Sequence, residues 1–171
     1  MTLLWGARHG LAEVEMLELA GTSAAPLPGA YWSPLSLALE GSLLDRSGLI
    51  GFAHDHMRRA VQERYLPGTE EQRQVHLYLA DYFQAQGIGR RSLEELPWQL
   101  AQAGDWQRLA GLLTDTAFFT ALWEHNELDL ARYWAQVEAG SPLRLAEVYR
   151  PVLAAPEQVA FTLARRLALL W

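Results

Sequence analysis

Ser42-Leu43-Leu44-Asp45-Arg46-Ser47-Gly48-Leu49-Ile50-Gly51-Phe52 is the stretch on which the reading of the fold turns. Two short apolar runs flank a polar tip that ends in glycine, the pattern of a small β-hairpin. Upstream, residues 3–8 read as a short helix, Gly10-Leu11 as a turn, and residues 12–19 as a second helix with Val14, Met16, Leu17 and Leu19 as its apolar positions. Residues 21–29, rich in small residues and proline, read as a loop. Residues 31–40 then form a third helix, with Pro34 tolerable only in its first turn and Leu35, Leu39 and Leu43 at core spacing. Downstream of the hairpin, residues 56–65 fit a helix with Met57, Ala60, Val61 and Tyr65 on one face, closed by Pro67-Gly68. Helix, helix, helix, hairpin is the order of a winged helix.

Beyond Pro67-Gly68 the pattern is helical throughout. Residues 70–86 carry Val75, Tyr78, Leu79, Tyr82 and Phe83 at amphipathic spacing. Ser92-Leu93-Glu94-Glu95 has capping-box spacing, so Pro97 must sit near the first turn of its helix or kink it. Asp105 is placed to cap a helix over residues 106–113. Helices over 116–123, 127–138, 142–149 and 157–170 follow, separated at Asn126, at Gly140-Ser141 and by residues 151–156. The expected fold is therefore mainly α: a winged helix over residues 1–66, then a superhelical or solenoid-like arm over residues 69–171. No repeat of about 34 residues is visible. The apolar end from Val159 to Trp171 reads as a helix whose next neighbour lies outside the chain.

Composition narrows the function. Half of the 171 residues are apolar, enough for a packed core. No apolar run approaches the roughly 18 residues a membrane span needs, and residues 1–10 lack signal-peptide features, so the cytoplasm is the expected compartment. Without cysteine there is neither a disulfide framework nor a thiol nucleophile. All 14 basic residues are arginine, and the net charge of −6 disfavours a generic nucleic-acid binder. The third helix, residues 31–40, has Glu40 as its single charge, which weakens its use as a DNA-reading helix. Lysine is absent and no GxxxxGK[ST] pattern occurs, so this chain holds no phosphate-binding loop. With no GxSxG or HExxH spacing either, it is not expected to be an enzyme.

Leu49-Ile50-Gly51-Phe52-Ala53-His54-Asp55-His56-Met57-Arg58-Arg59-Ala60-Val61 resembles the end of the winged-helix domain in STAND-class signalling ATPases, with Ala53-His54-Asp55 standing where Met-His-Asp is usual. Residues 3–17 are similar to the opening that follows NACHT modules of the nephrocystin and telomerase-associated-protein kind, and residues 76–83, 91–100 and 103–109 resemble the helical stretch ahead of TPR or WD repeats. The resemblance covers residues 3–138. It implies a regulatory relay: His54 touches the β-phosphate of ADP or ATP held with Mg by a P-loop domain elsewhere in the parent protein, Asp55 orients that histidine or caps the helix beginning at His56, and the arm couples to a repeat or sensor domain, with homo-oligomerisation on activation. No nucleic-acid or membrane partner is implied.

Several residues are open to plainer accounts. His54 can be a histidine satisfied by local backbone, and Arg58, a further phosphate contact on the relay reading, can belong to a solvated helix face. His54 and His56 lack the further ligands a metal site requires, and none is expected. Trp98, Trp106, Trp123, Tyr133 and Trp134 are placed as core aromatics rather than a ligand cage. Capping accounts for Glu95 better than a carboxylate pair with Glu94. Two other functions remain open, a winged-helix DNA-binding transcription regulator and a plain helical protein-interaction scaffold.

Overall fold

The computed structural model describes residues 1–22, 24–150 and Arg166. The helix expected over 157–170 and the linker at 151–156 lie outside the described residues, Arg166 excepted. Described residues form a mainly helical chain with one two-stranded sheet, in two compact units, Met1–Tyr82 and Phe83–Trp171.

In the first unit, α1 (Thr2–Gly6), α2 (Glu13–Ala20) and α3 (Gly29–Ala38) precede the hairpin of β1 (Leu43–Arg46) and β2 (Leu49–Phe52), which α4 (Asp55–Tyr65) follows. The strands pair antiparallel, Leu43 opposite Phe52 and Arg46 opposite Leu49. Ser47 and Gly48 at the tip have φ of 58° and 84°, two left-handed residues in succession, and the Gly48 amide donates to Asp45 Oδ1 at 2.7 Å. That geometry matches the right-handed twist of the strands. Gly10, at φ 93°, turns the chain so closely over β2 that a side chain there would strike the Ile50 carbonyl. Leu11 and Ile50 then exchange two backbone hydrogen bonds, of 2.9 and 2.8 Å.

Trp5, Val61 and Leu66 form a buried cluster against which Phe52 and Val75 pack. α5 (Thr69–Ala85) starts in this unit: a Cβ at Gly6 would meet Val75 and Leu79, and the Tyr78 hydroxyl donates to the Leu19 carbonyl at 2.8 Å. Although Pro67-Gly68 breaks the helical pattern in the sequence, the compact units divide within α5, because its first turns are packed on α1 and α2 in this way.

Several expected faces are corrected. Val14 is 60% exposed, and α2 buries Glu15, Met16 and Leu19 instead. α3 begins two residues earlier than expected, so Pro34 lies beyond its first turn; its buried residue is Trp32, and Leu35 is exposed.

The second unit is built from the end of α5, α6 (Arg90–Gln102), α7 (Trp106–Thr114), α8 (Thr116–Gly140) and α9 (Leu145–Val148). α6, α7 and α8 pack on one another through Leu96, Leu100, Leu109, Leu113, Phe119, Leu122, Leu130 and Val137, all at most 2% exposed. Burying side chains of this size is worth about 1.5–3 kcal/mol each and holds short helices that would not persist alone. Side chains set the helix starts: Asp105 accepts from the Arg108 amide at 3.2 Å, and Asp115 from the Phe118 amide at 2.8 Å. α8 is broken at Asn126, whose φ of −163° and ψ of 98° are not helical. Pro97 lies in the interior of α6, on its buried face.

Candidate functional site

The chain leaves β2 through Ala53 and enters α4 with His54 as N-cap residue, in extended conformation and making no capping hydrogen bond through its side chain. Asp55 is the first helical residue, so it does not cap a helix starting at His56; its carboxylate faces the positive end of the helix dipole. His54, Asp55 and His56 are all exposed. The two imidazoles lie parallel, 5.3 Å between centroids and 16° between planes. Among the described residues no group of three or more histidines and carboxylates could hold a metal ion.

One helical turn on, Arg58 is held firmly. Its Nη2 donates to the Trp5 carbonyl at 2.7 Å and its guanidinium lies 6.0 Å from the centre of the Trp5 ring. Asp55 and Arg58 share the wall of a cavity of about 410 Å³ with Arg8, His9 and Arg46, whereas His54 is not among its lining residues. The fold thus joins two of the three residues singled out in the sequence and separates the third from them. Arg8 and Arg46 escaped the sequence reading because they lie on different elements. The one available signal was Arg8 standing two residues before the Gly10 turn.

A second polar cluster lies along α6. Arg90 Nε reaches Glu94 at 2.9 Å, Arg91 Nη1 lies 3.6 Å from Glu94 and 3.5 Å from Glu95, and His125 Nε2 is 3.8 Å from Glu94. Burial alone pushes the Glu94 carboxyl up, but the Arg90 hydrogen bond and the charges of Arg90, Arg91 and His125 outweigh it and hold the group below the usual carboxylate range. Glu95 is fully buried and accepts from Gln99 Nε2 at 3.0 Å. It is therefore no helix cap. Ser92 takes that part: Gly89 is the N-cap residue, and its amide donates to Ser92 Oγ at 2.8 Å. These groups tie helices together, and their charges offset one another. Tyr133 and Trp134 are buried, and Trp123 stacks on Phe119 at 6.0 Å.

What the geometry defines is a helical packing module carrying one small basic pocket. Comparison with known proteins points the same way. The chain is 31% identical over 137 residues to a TPR repeat-containing protein of Dictyostelium discoideum, covering 79% of this chain and 8% of that protein. It is 29% identical to Tetratricopeptide repeat protein 41 of Rattus norvegicus and of Mus musculus, over 82% of this chain and 13% of each. The chain thus spans only a small part of the curated relatives it matches. No family model and no solved structure matches it.

These relatives correct the NACHT resemblance. They are tetratricopeptide-repeat proteins, so the chain is not read as the relay of a STAND-class ATPase. The nucleotide-sensing role of His54 and Asp55 and the implied P-loop partner fall with the resemblance that suggested them. Among the described residues no helix is long and apolar enough to cross a membrane.

Proposed function

We propose that this chain is a non-catalytic helical scaffold for protein–protein interaction, with no cofactor of its own. The observation that carries the reading is the serial packing of α6, α7 and α8 around Leu100, Leu109, Leu113 and Leu122, in a chain similar to segments of tetratricopeptide-repeat proteins. Stacked short helices bury one face and present the other as an extended surface. Leu128, 75% exposed on α8, is an apolar side chain on that outer face. The element order of residues 1–66 supports a winged-helix arrangement serving as a packing platform, and α6 to α9 of the second unit supply the solenoid-like arm.

The test is made in a full-length relative that contains the segment. Replacing the stretch equivalent to 90–149 by a flexible linker is expected to remove a subset of its stoichiometric partners, identified by cross-linking, and Leu128→Asp to weaken the same subset without lowering the melting temperature. Retention of every partner by both variants sinks the reading.

A further inference from the structure

α3 carries no charged residue, yet most of its surface faces outward. Trp32 is its buried residue, while Tyr31 is 71% and Leu37 73% exposed. A helix apolar on every side is ordinarily enclosed, and a run of exposed apolar side chains on one element marks a surface that another molecule covers. Two stripes run along α3. Tyr31, Pro34, Leu35 and Ala38 recur at i, i+3, i+4 and i+7, and all are exposed. Ser33, Ser36, Leu37 and Glu40 follow the same spacing, and together with Trp32 and with Glu13 of α2 they line a groove of about 340 Å³. Charge around the helix has one sign. From His9 to Asp45 the chain carries Glu13, Glu15, Glu18, Glu40 and Asp45 and neither Arg nor Lys. Glu15 accepts from the Ala12 amide, Glu18 from the Tyr82 hydroxyl and Asp45 from the Gly48 amide. Among the described residues Glu13 and Glu40, the two acids of the groove, have no such tie.

We infer that α3 and its groove receive a basic amphipathic helix of a partner protein, whose apolar face covers Tyr31, Leu35 and Leu37 and whose flanking lysines or arginines meet Glu13 and Glu40. A helix laid along an apolar groove is read through anchors at i, i+3, i+4 and i+7, the spacing that both stripes of α3 present. At 1.5 Å per residue α3 is about 15 Å long, which three to four turns of a partner helix span. Apolar contact supplies the affinity, and opposite charge at the rim sets the register and the choice of partner. The same carboxylates argue against the other occupants of an apolar helix surface. An anionic membrane is repelled by them, and a second copy of this chain brings like charges together. The inference rests on the scaffold reading in that the chain engages other proteins, and it adds the chemistry of a partner at the first unit.

The purified full chain is used to select from a phage-displayed library of helical peptides with a fixed apolar stripe and randomised flanks. Enriched sequences are expected to carry Lys or Arg beside the stripe. An enriched peptide, synthesised with a fluorescein label, is then titrated by anisotropy. Leu37→Asp and Tyr31→Asp are each expected to weaken it about tenfold while keeping the wild-type melting temperature, because both side chains are exposed. Glu13→Gln combined with Glu40→Gln should weaken it several-fold, and added salt should affect the wild type more than this double variant. No enrichment, enrichment of acidic or uncharged flanks, or binding that neither Leu37→Asp nor Tyr31→Asp weakens overturns the inference. So does binding of the chain to phosphatidylserine vesicles in place of peptides, or self-association that Leu37→Asp abolishes. Replacement of the stretch equivalent to 90–149 reads the scaffold separately, so partner loss there with failure of the peptides condemns the α3 surface alone.

Discussion

The hydroxyl of Tyr149 donates a 2.5 Å hydrogen bond to the carbonyl of Leu113, 36 residues earlier. Leu113 lies in the last turn of α7, where carbonyls have no partner within the helix. The tyrosine ring is meanwhile enclosed by Phe119, edge-on at 6.1 Å, and Trp134 at 5.4 Å. Tyr149 thus closes the end of one helix and fills the space between α8 and α9.

Tyr149→Phe keeps the ring and removes the bond, leaving a buried carbonyl unpaired at a cost of about 1–3 kcal/mol. Burial pushes the Tyr149 hydroxyl above its ordinary value of 10.0. The folded state thus favours the protonated form, so this stabilisation is complete below pH 10 and fades as the pH rises beyond it. Urea denaturation at pH 7 should show the loss. Between pH 10 and 11 the gap between wild type and variant should narrow, and a constant gap contradicts the assignment.

Arg90 and Arg91 are neighbours with unlike tasks. Arg90 is 82% exposed, so its pair with Glu94 is worth less than about 0.5 kcal/mol. Arg91 lies over the Phe83 ring at 5.4 Å and faces the buried Glu95. Arg91→Ala leaves that carboxylate short of its counter-charge and should cost about 3 kcal/mol, against a few tenths for Arg90→Ala. Because the Glu94 carboxyl is held below its usual range, its stabilisation is present above pH 4.5 and lost as the pH falls below it. Equal costs for the two substitutions in urea titrations at pH 7 would refute this ranking.

Local signals in the sequence were sufficient where a single residue determines backbone geometry. The hairpin tip, the Asp105 cap and the break at Asn126 are all where their residue types place them. Faces were less legible. Apolar periodicity named Val14 and Leu35 as core, but each lies on a short helix whose buried side depends on which element packs against it. Glu95 looked like a capping residue because Ser92 precedes it by three, yet the helix starts at Arg90, three residues earlier than a cap at Ser92 would place it, and carries Glu95 inward. The basic pocket was hidden for a different reason: Arg8, Arg46 and Arg58 have no shared spacing, and only tertiary packing joins them.

Gly140, the last residue of α8, tests packing against propensity. Alanine there gains up to about 1 kcal/mol of helix propensity. A Cβ at this position would lie 2.6 Å from Trp106 Nε1, in contact with a rigid ring, and such overpacking costs about 1–3 kcal/mol. Gly140→Ala is therefore expected to lower the melting temperature. Trp106→Leu destabilises by itself but should make the alanine at 140 neutral or favourable, so additive effects in the double variant would sink the steric account.

The break at Asn126 explains how α8 buries both halves. In an uninterrupted helix Leu130 would point about 80° away from Leu122, since each residue turns the helix by about 100°. Both are fully buried, because the chain leaves helical conformation at Asn126 and re-enters it aimed afresh. Asn126 Oδ1 accepts from the amides of Leu128 at 3.1 Å and Asp129 at 3.3 Å, so the side chain that sits at the break also caps the second half. Asn126→Ala removes the cap and favours a continuous helix, and should cost about 1 kcal/mol. Asn126→Asp keeps the acceptor and should restore most of it. If alanine proves as stable as asparagine in denaturant titrations, the turn between the two halves is set by core packing and not by this side chain.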